Sequence, residues 1–133
     1  MPRSTRLMAN ITIQIKGLKE LKVAMVRAPQ IINKEVGRGI DQALVILQRR
    51  ALIEATIEPR VKTGRLRSSH TIERDRGRLQ GSIGTRVFYA KFLHEGTRFM
   101  RARPWLNRAA KKEKSSIERV IQRSVNRALR RVF

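Results

Sequence analysis

Apolar and polar positions alternate or recur in patterns that predict a strand and two helices in the first half of the chain. Residues 11–15 alternate between isoleucine and polar side chains, as in a half-buried strand. Over residues 18–25, leucine and methionine recur at helical spacing, which predicts a short helix that ends before Pro29. A longer helix begins at Pro29, a residue that suits the first turn of a helix, and runs to about Ile57. Its apolar stripe is formed by Val36, Ile40, Leu44, Leu47, Ala51 and Ala55.

The middle of the chain changes to a period of two, which predicts a β-hairpin over about residues 68–88. Residues 75–78, Asp-Arg-Gly-Arg, have turn chemistry and separate the two predicted strands. The apolar face of the second strand is formed by Leu79, Ile83 and Val87. Ile72 is expected opposite that face, on the first strand of the hairpin.

Four glycines fall inside these predicted elements. Gly37 and Gly39 weaken the long helix near its start by about 1 kcal/mol each relative to alanine. Gly81 and Gly84 mark either a bulge or a close approach of another backbone to the second strand of the hairpin.

A long amphipathic helix is predicted from Pro104 onward, well above the average helix length of about 11–12 residues. Its apolar stripe is formed by Leu106, Ala110, Ile117, Val120, Ile121, Val125, Ala128, Leu129 and Val132. Its opposite face is almost purely cationic and carries Lys111, Lys112, Lys114, Arg119, Arg123, Arg127, Arg130 and Arg131.

The order strand, helices, hairpin and helix predicts a single α+β domain over residues 11–133, with an antiparallel sheet and helices on one face of it. A flexible basic tail is expected over residues 1–10.

Charge is the most unusual feature of the composition. The 133 residues include 31 lysines and arginines against 10 acidic residues, for a formal net charge of +21. Residues 60–133 hold 21 of these bases and only half of the acids. Self-repulsion of this size predicts a polyanion or an acidic protein surface as a partner. The absence of cysteine excludes disulfides, thiolate zinc sites and thiol nucleophiles. The chain also lacks an apolar run of about 18 residues, so no membrane span is predicted.

The inventory of reactive side chains argues against an enzyme. His70 and His94 are isolated, and neither has a second metal ligand at the spacing of a known zinc site. His94-Glu95 resembles the start of a zincin motif, but Arg98 stands where that motif needs its second histidine. Glu73 and Asp75 share a strand face beside a turn, where no cleft is implied. We therefore predict no catalytic residues, no metal and no cofactor.

Five of the six aromatic residues fall between Phe88 and Trp105. Aromatic rings interleaved with basic residues are typical of platforms that stack single-stranded nucleic acid. The alternative is burial in the core or in a seam between subunits. We favour burial, because two pairs of adjacent apolar residues, Phe88-Tyr89 and Phe92-Leu93, fit a buried position better than display.

Four blocks in the second half of the chain resemble one protein family. Residues 59–69 are similar to the "TGRLR-x-S" segment of the HK97 gene-product-ten-like family of tailed-phage tail proteins, and residues 84–90 resemble its "VGT-x-V-x-YA" strand. Gly96-Thr97 matches the family's "E-x-GT" turn, and residues 100–106 match "M-x-A-x-PFL". The matched positions are Thr63, Gly64, Arg65, Leu66, Tyr89, Ala90, Glu95, Gly96, Thr97, Arg103, Pro104 and Trp105. The chain departs from the family pattern at two positions. Trp105 replaces the usual phenylalanine, and His94 stands where the family has its acid, so that Glu95 lies one place later.

The resemblance implies a structural protein of the phage neck or tail, with no enzymatic activity. Such proteins complete the tail or join the head to the tail, and they share a curved antiparallel sheet packed against a long helix. The resemblance also implies assembly in the host bacterial cytoplasm, a place in the virion, and a ring of copies, often a hexamer, around the DNA passage. The expected partners are other copies of this chain, neighbouring neck or tail proteins and the DNA in the channel, with no membrane contact.

The residues predicted to contact DNA or an acidic partner lie in two cationic groups. They are Arg60, Lys62, Arg67, Lys111, Lys112, Arg119, Arg123, Arg127, Arg130 and Arg131. Gly64 and Gly96 are expected to form turns, with Glu95 paired to Arg65, Arg98 or Arg103 of the same subunit or to an arginine of a neighbour. The alternative function is a basic protein that binds nucleic acid without reading its sequence.

Overall fold

The computed structural model describes residues 7–14, 19–57, 65–75 and 79–133, and it has the predicted α+β class. The elements in chain order are β1 (Ala9–Gln14), α1 (Lys19–Arg27), α2 (Pro29–Ile57), α3 (Arg65–Ser68), β2 (Thr71–Asp75), β3 (Gln80–Thr85), α4 (Ala90–Glu95) and α5 (Trp105–Val132). The two predicted long helices are α2 and α5. The short helices α3 and α4 have no counterpart in the sequence prediction.

The three strands form one antiparallel sheet in the order β1-β3-β2. Ile83 in the central strand is flanked by Ile11 on β1 and by Ile72 on β2. Residues directly opposite each other point to the same face of a sheet, so these isoleucines form one row. Ile83 is fully buried in a core cluster with Leu47 of α2. The predicted pairing of the hairpin is confirmed, although β2 begins only at Thr71.

Strand β1 begins at Ala9, two residues before the predicted start. Ala9 is 7% exposed and pairs with Thr85 of β3, so the predicted flexible tail over 1–10 is wrong for its last two residues. Gly84 permits this pairing, because a Cβ atom there would overlap the carbonyl oxygen of Ala9. Of the two alternatives for this glycine, close approach is therefore the correct one. Residues 1–6 of the predicted tail and 76–78 of the predicted turn lie outside the described residues.

Helices α2 and α5 pack against each other in antiparallel directions. Glu35 near the start of α2 pairs with Arg131 near the end of α5, and Glu54 near the end of α2 pairs with Arg108 near the start of α5. The first half of α2 shares a core cluster with Leu21 and Ala24 of α1 and with Val125 and Ala128 of α5. The second half of α2 belongs to another core cluster, which it shares with β3, α4 and the start of α5. The predicted helix from Pro104 begins one residue later, because Pro104 is the N-cap residue of α5.

The two helices lie close together at Gly39. A Cβ atom at Gly39 would lie 2.5 Å from the Cβ of Ser124 and would overlap its hydroxyl oxygen. At Gly37, by contrast, an added Cβ would meet only the guanidinium end of Arg74, at 2.9 Å. Gly39 lowers the helix propensity of α2, but the contact between the two helices requires a glycine at this position.

We predict that Gly39→Ala destabilises the protein by about 1–3 kcal/mol, the usual range for overpacking a core, although alanine is the better helix former. Gly37→Ala is the matched control, and it should cost clearly less because a flexible side chain can move away. Urea unfolding followed by circular dichroism measures both changes in unfolding free energy. The combination of Gly39→Ala with Ser124→Gly should recover part of the loss. Equal stability of the two glycine variants would contradict this account of the helix contact.

Candidate functional site

The family-like blocks from residue 84 onward form one continuous structural segment. After β3 the chain turns into α4, whose C-terminal end is closed by Gly96 at a φ of 79°. Thr97 and Met100 form a bridge, and the backbone N–H of Arg103 then donates to the carbonyl of Leu93 at 2.8 Å. A Cβ atom at Gly96 would lie 2.7 Å from the backbone nitrogen of Ala102. Gly96 therefore satisfies two demands, a left-handed backbone and a close approach, as the predicted turn requires.

Trp105 lies at the centre of this segment and is fully buried. Its indole N–H donates to Nε2 of His70 at 2.9 Å, and the ring of His94 packs edge-on against it with ring centroids 5.1 Å apart. The two histidines that are isolated in the sequence thus meet at one tryptophan. The described residues contain no group of three or more His, Cys, Asp or Glu side chains that could hold a metal ion. The arrangement is a packing unit in which the buried tryptophan also forms a hydrogen bond.

His94 is held in its neutral form by its surroundings. Its Nε2 atom is buried without a hydrogen-bond partner among the described residues. Desolvation lowers the pKa of His94 below its ordinary value of 6.5; the charge of Glu95 opposes this shift and the charge of Arg108 adds to it. A proton on His94 therefore disfavours the folded state.

Three phenylalanine side chains of the segment are exposed in the single subunit, so they are not buried in its core. Their burial in a seam between subunits stays a prediction. Phe88, Phe92 and Phe99 are 68%, 50% and 89% exposed. Tyr89 and Leu93, four residues apart, pack against the core, whereas their preceding neighbours Phe88 and Phe92 are rotated away from it toward solvent. We call Phe88, Phe92 and Phe99 the aromatic surface.

Two of the bases that were predicted to contact a partner form ion pairs within the fold. Lys112 donates to Glu54 at 2.8 Å and Arg131 donates to Glu35 at 2.7 Å. Glu54 is only 1% exposed, and Arg108 contacts it as well. Burial alone would raise the pKa of Glu54, but the hydrogen bonds and charges of Lys112 and Arg108 lower it below its ordinary value. Lys112 is therefore better described as part of the contact between α2 and α5.

Another set of the predicted bases has no acidic partner among the described residues. Arg123, Arg127 and Arg130 are exposed along one side of α5. They line a groove with a volume of about 460 Å³, whose remaining walls are Asn126 and Arg131. We call this feature the arginine groove. The structure thus leaves these three arginines without an acidic partner among the described residues, whereas Lys112 and Arg131 are each paired with a buried acid of α2.

The remaining predicted positions have mixed outcomes. Leu66 and Ala90 are fully buried core residues, and Lys111 and Arg119 are exposed. Among the described side chains, Glu95 forms no ion pair with Arg98 or Arg103. Its pairing with Arg65 or with a neighbouring subunit stays a prediction. Four predicted residues lie outside the described part of the chain, namely Arg60, Lys62, Thr63 and Gly64. The side chains of Arg65 and Arg67 also lie outside it, although their backbone forms α3.

Comparison with protein-family models, with curated proteins and with solved structures finds no match for the chain. The family resemblance therefore depends on the motif residues alone. Within the described ranges, no helix has the length and apolar character needed to cross a membrane.

We predict that Trp105→Phe lowers the unfolding free energy by about 1–3 kcal/mol, because Nε2 of His70 is left buried without its donor. Chemical denaturation measures the loss. The matched control is the same change in a His70→Leu background, where no acceptor remains and the loss should be smaller. A tryptophan substitution that costs the same in both backgrounds would show that the hydrogen bond contributes nothing.

We also predict that stability depends on pH through His94. Because its pKa is lowered in the folded state, its contribution is complete above the unfolded value of 6.5 and is lost as the pH falls through the folded value. Glu54, whose pKa is also lowered, loses its contribution only below its ordinary value of 4.5. Between pH 7 and pH 5 the unfolding free energy should therefore fall more steeply in the natural protein than in His94→Gln. Parallel pH profiles for the two proteins would refute this role.

Proposed function

We propose that the protein is a non-enzymatic structural subunit of the neck or tail of a tailed phage. In this proposal it completes the tail or joins the head to the tail, and its copies form a ring around the DNA passage. The observation that carries the proposal is the aromatic surface. It lies on the segment that resembles the HK97 gene-product-ten-like family, and that segment presents large apolar side chains outward.

Exposed phenylalanine side chains on a backbone that the subunit itself holds in place indicate a surface that binds another protein. Burial of one such side chain contributes about 1.5–3 kcal/mol, so three of them supply a strong drive for association. Contacts within the subunit hold the supporting framework: Gly96 closes α4, and the indole N–H of Trp105 donates to His70. The backbone that carries the aromatic surface is therefore set by the subunit itself, before a partner binds.

A ring requires two different contact surfaces on each copy, because each subunit binds the next in a head-to-tail manner. The aromatic surface provides one of them. Val45 and Ile53, which are exposed eight residues apart on α2, provide apolar side chains for the other. With a net charge of +21, the copies repel each other, and so assembly should be favoured by salt or by a polyanion that screens the charge.

We predict that the purified protein forms closed rings, detectable by native mass spectrometry and electron microscopy, and that the double variant Phe92→Ser/Phe99→Ser remains monomeric. The loss should follow from removing apolar area without disturbing the core, because both rings are exposed. Phe133→Ser is the matched control, since Phe133 is a 62% exposed phenylalanine outside the segment. Circular dichroism should show the same helix content in all three proteins.

Two outcomes of the assembly experiment would contradict the proposal. One is a protein that stays monomeric at every salt concentration and with DNA present, which would favour the alternative of a simple nucleic-acid-binding protein. The other is a control variant that loses assembly as completely as the double variant. Absence of the protein from purified virions would equally count against a structural role.

A further inference from the structure

We infer that the arginine groove is a binding site for the phosphate backbone of a duplex nucleic acid, which it contacts without reading sequence. This inference deepens the proposed function and rests on it only for the source of the duplex, the DNA in the ring. The groove itself is a property of the single subunit, lined by Arg123, Asn126, Arg127, Arg130 and Arg131.

The spacing of the arginines fits a run of phosphates. Arg123, Arg127 and Arg130 are four and three residues apart on α5, which places them on one face of the helix. At a rise of about 1.5 Å per residue, the row spans about 10 Å. One strand of a duplex carries a phosphate about every 3.4 Å along the axis, so the row can face about three successive phosphates.

The positive charge of the groove is almost unopposed by neighbouring acidic side chains. Glu35 pairs with one lining residue, Arg131, and is itself only 4% exposed. That pair holds Arg131 in place while its side chain stays 52% exposed, with further N–H groups available to a ligand. Glu118, the closest preceding acid on α5, lies five residues before Arg123 and so on a different face of the helix.

The lining favours nucleic acid over an acidic protein. Protein interfaces have an apolar or aromatic centre, whereas the groove is lined by four arginines and one asparagine. Arginine and asparagine are side chains that contact phosphate oxygens in protein–DNA complexes. No aromatic side chain lines the groove to stack an unpaired base, which favours a duplex over a single strand.

The test is the salt dependence of binding to a fluorescent duplex DNA, measured by anisotropy for the full chain. In the triple variant R123Q/R127Q/R130Q, the slope of log affinity against log salt should become less steep by about 0.9 for each arginine removed. The matched control R49Q/K111Q/K114Q removes the same charge at the opposite end of the helix pair, and its slope should change much less. Each single variant should reduce the slope by about one third of the triple effect.

The outcomes distinguish binding at the groove from binding through net charge and from binding of an acidic protein. Equal slopes for the two triple variants would overturn the inference, because they would assign binding to net charge. If polyglutamate competes as well as DNA at equal charge, the groove is a site for an acidic protein, and the inference is overturned as well. Phe92→Ser/Phe99→Ser should bind DNA as a monomer, and R123Q/R127Q/R130Q should still form rings. Failure of DNA binding is thereby distinguishable from failure of assembly.

Discussion

The antiparallel packing of α2 on α5 is the constraint on which the rest of the structure depends. At its centre, Gly39 allows the two backbones to approach, with Ser124 in the space that a side chain would fill. At its ends, Glu35 and Glu54 are buried acids that are neutralised by bases of α5. Loss of such a base would leave an unpaired buried charge, which is strongly destabilising. Because these contacts fix the rotation of α5 about its axis, they also determine which of its arginines face solvent.

This arrangement divides the charges of the protein into two groups. The acids that form ion pairs within the described residues are Glu35, Asp41, Glu54, Glu73 and Glu113. Bases that are not engaged by them stay on the surface, and they include the row that lines the arginine groove. The aromatic surface lies on a different segment, between β3 and α5. In the proposed ring, the arginine groove would contact phosphate and the aromatic surface would contact a neighbouring copy.

The sequence predicted those features that depend on local periodicity. Helices α2 and α5 follow from apolar residues at three- and four-residue spacing, and the hairpin follows from alternation around Ile83. The failures concern contacts between distant residues. Nothing in the sequence indicates that His70 and His94 meet Trp105, or that Lys112 pairs with Glu54 across the helix contact. The exposure of Phe88 and Phe92 in the single subunit also depends on tertiary packing, because a pair of adjacent apolar residues does not show which of the two faces the core.

The most direct test of this account is the rate at which phenylglyoxal modifies each arginine of the native protein, resolved by mass spectrometry of peptides. Arginines engaged by carboxylates should react slowly, and those that line the groove without an acid should react fast. The account predicts faster modification of Arg123, Arg127 and Arg130 than of Arg50, Arg74 and Arg108, with the difference abolished in denaturant. Similar rates for the two groups in the native protein would contradict the division of charge on which the proposed contacts depend.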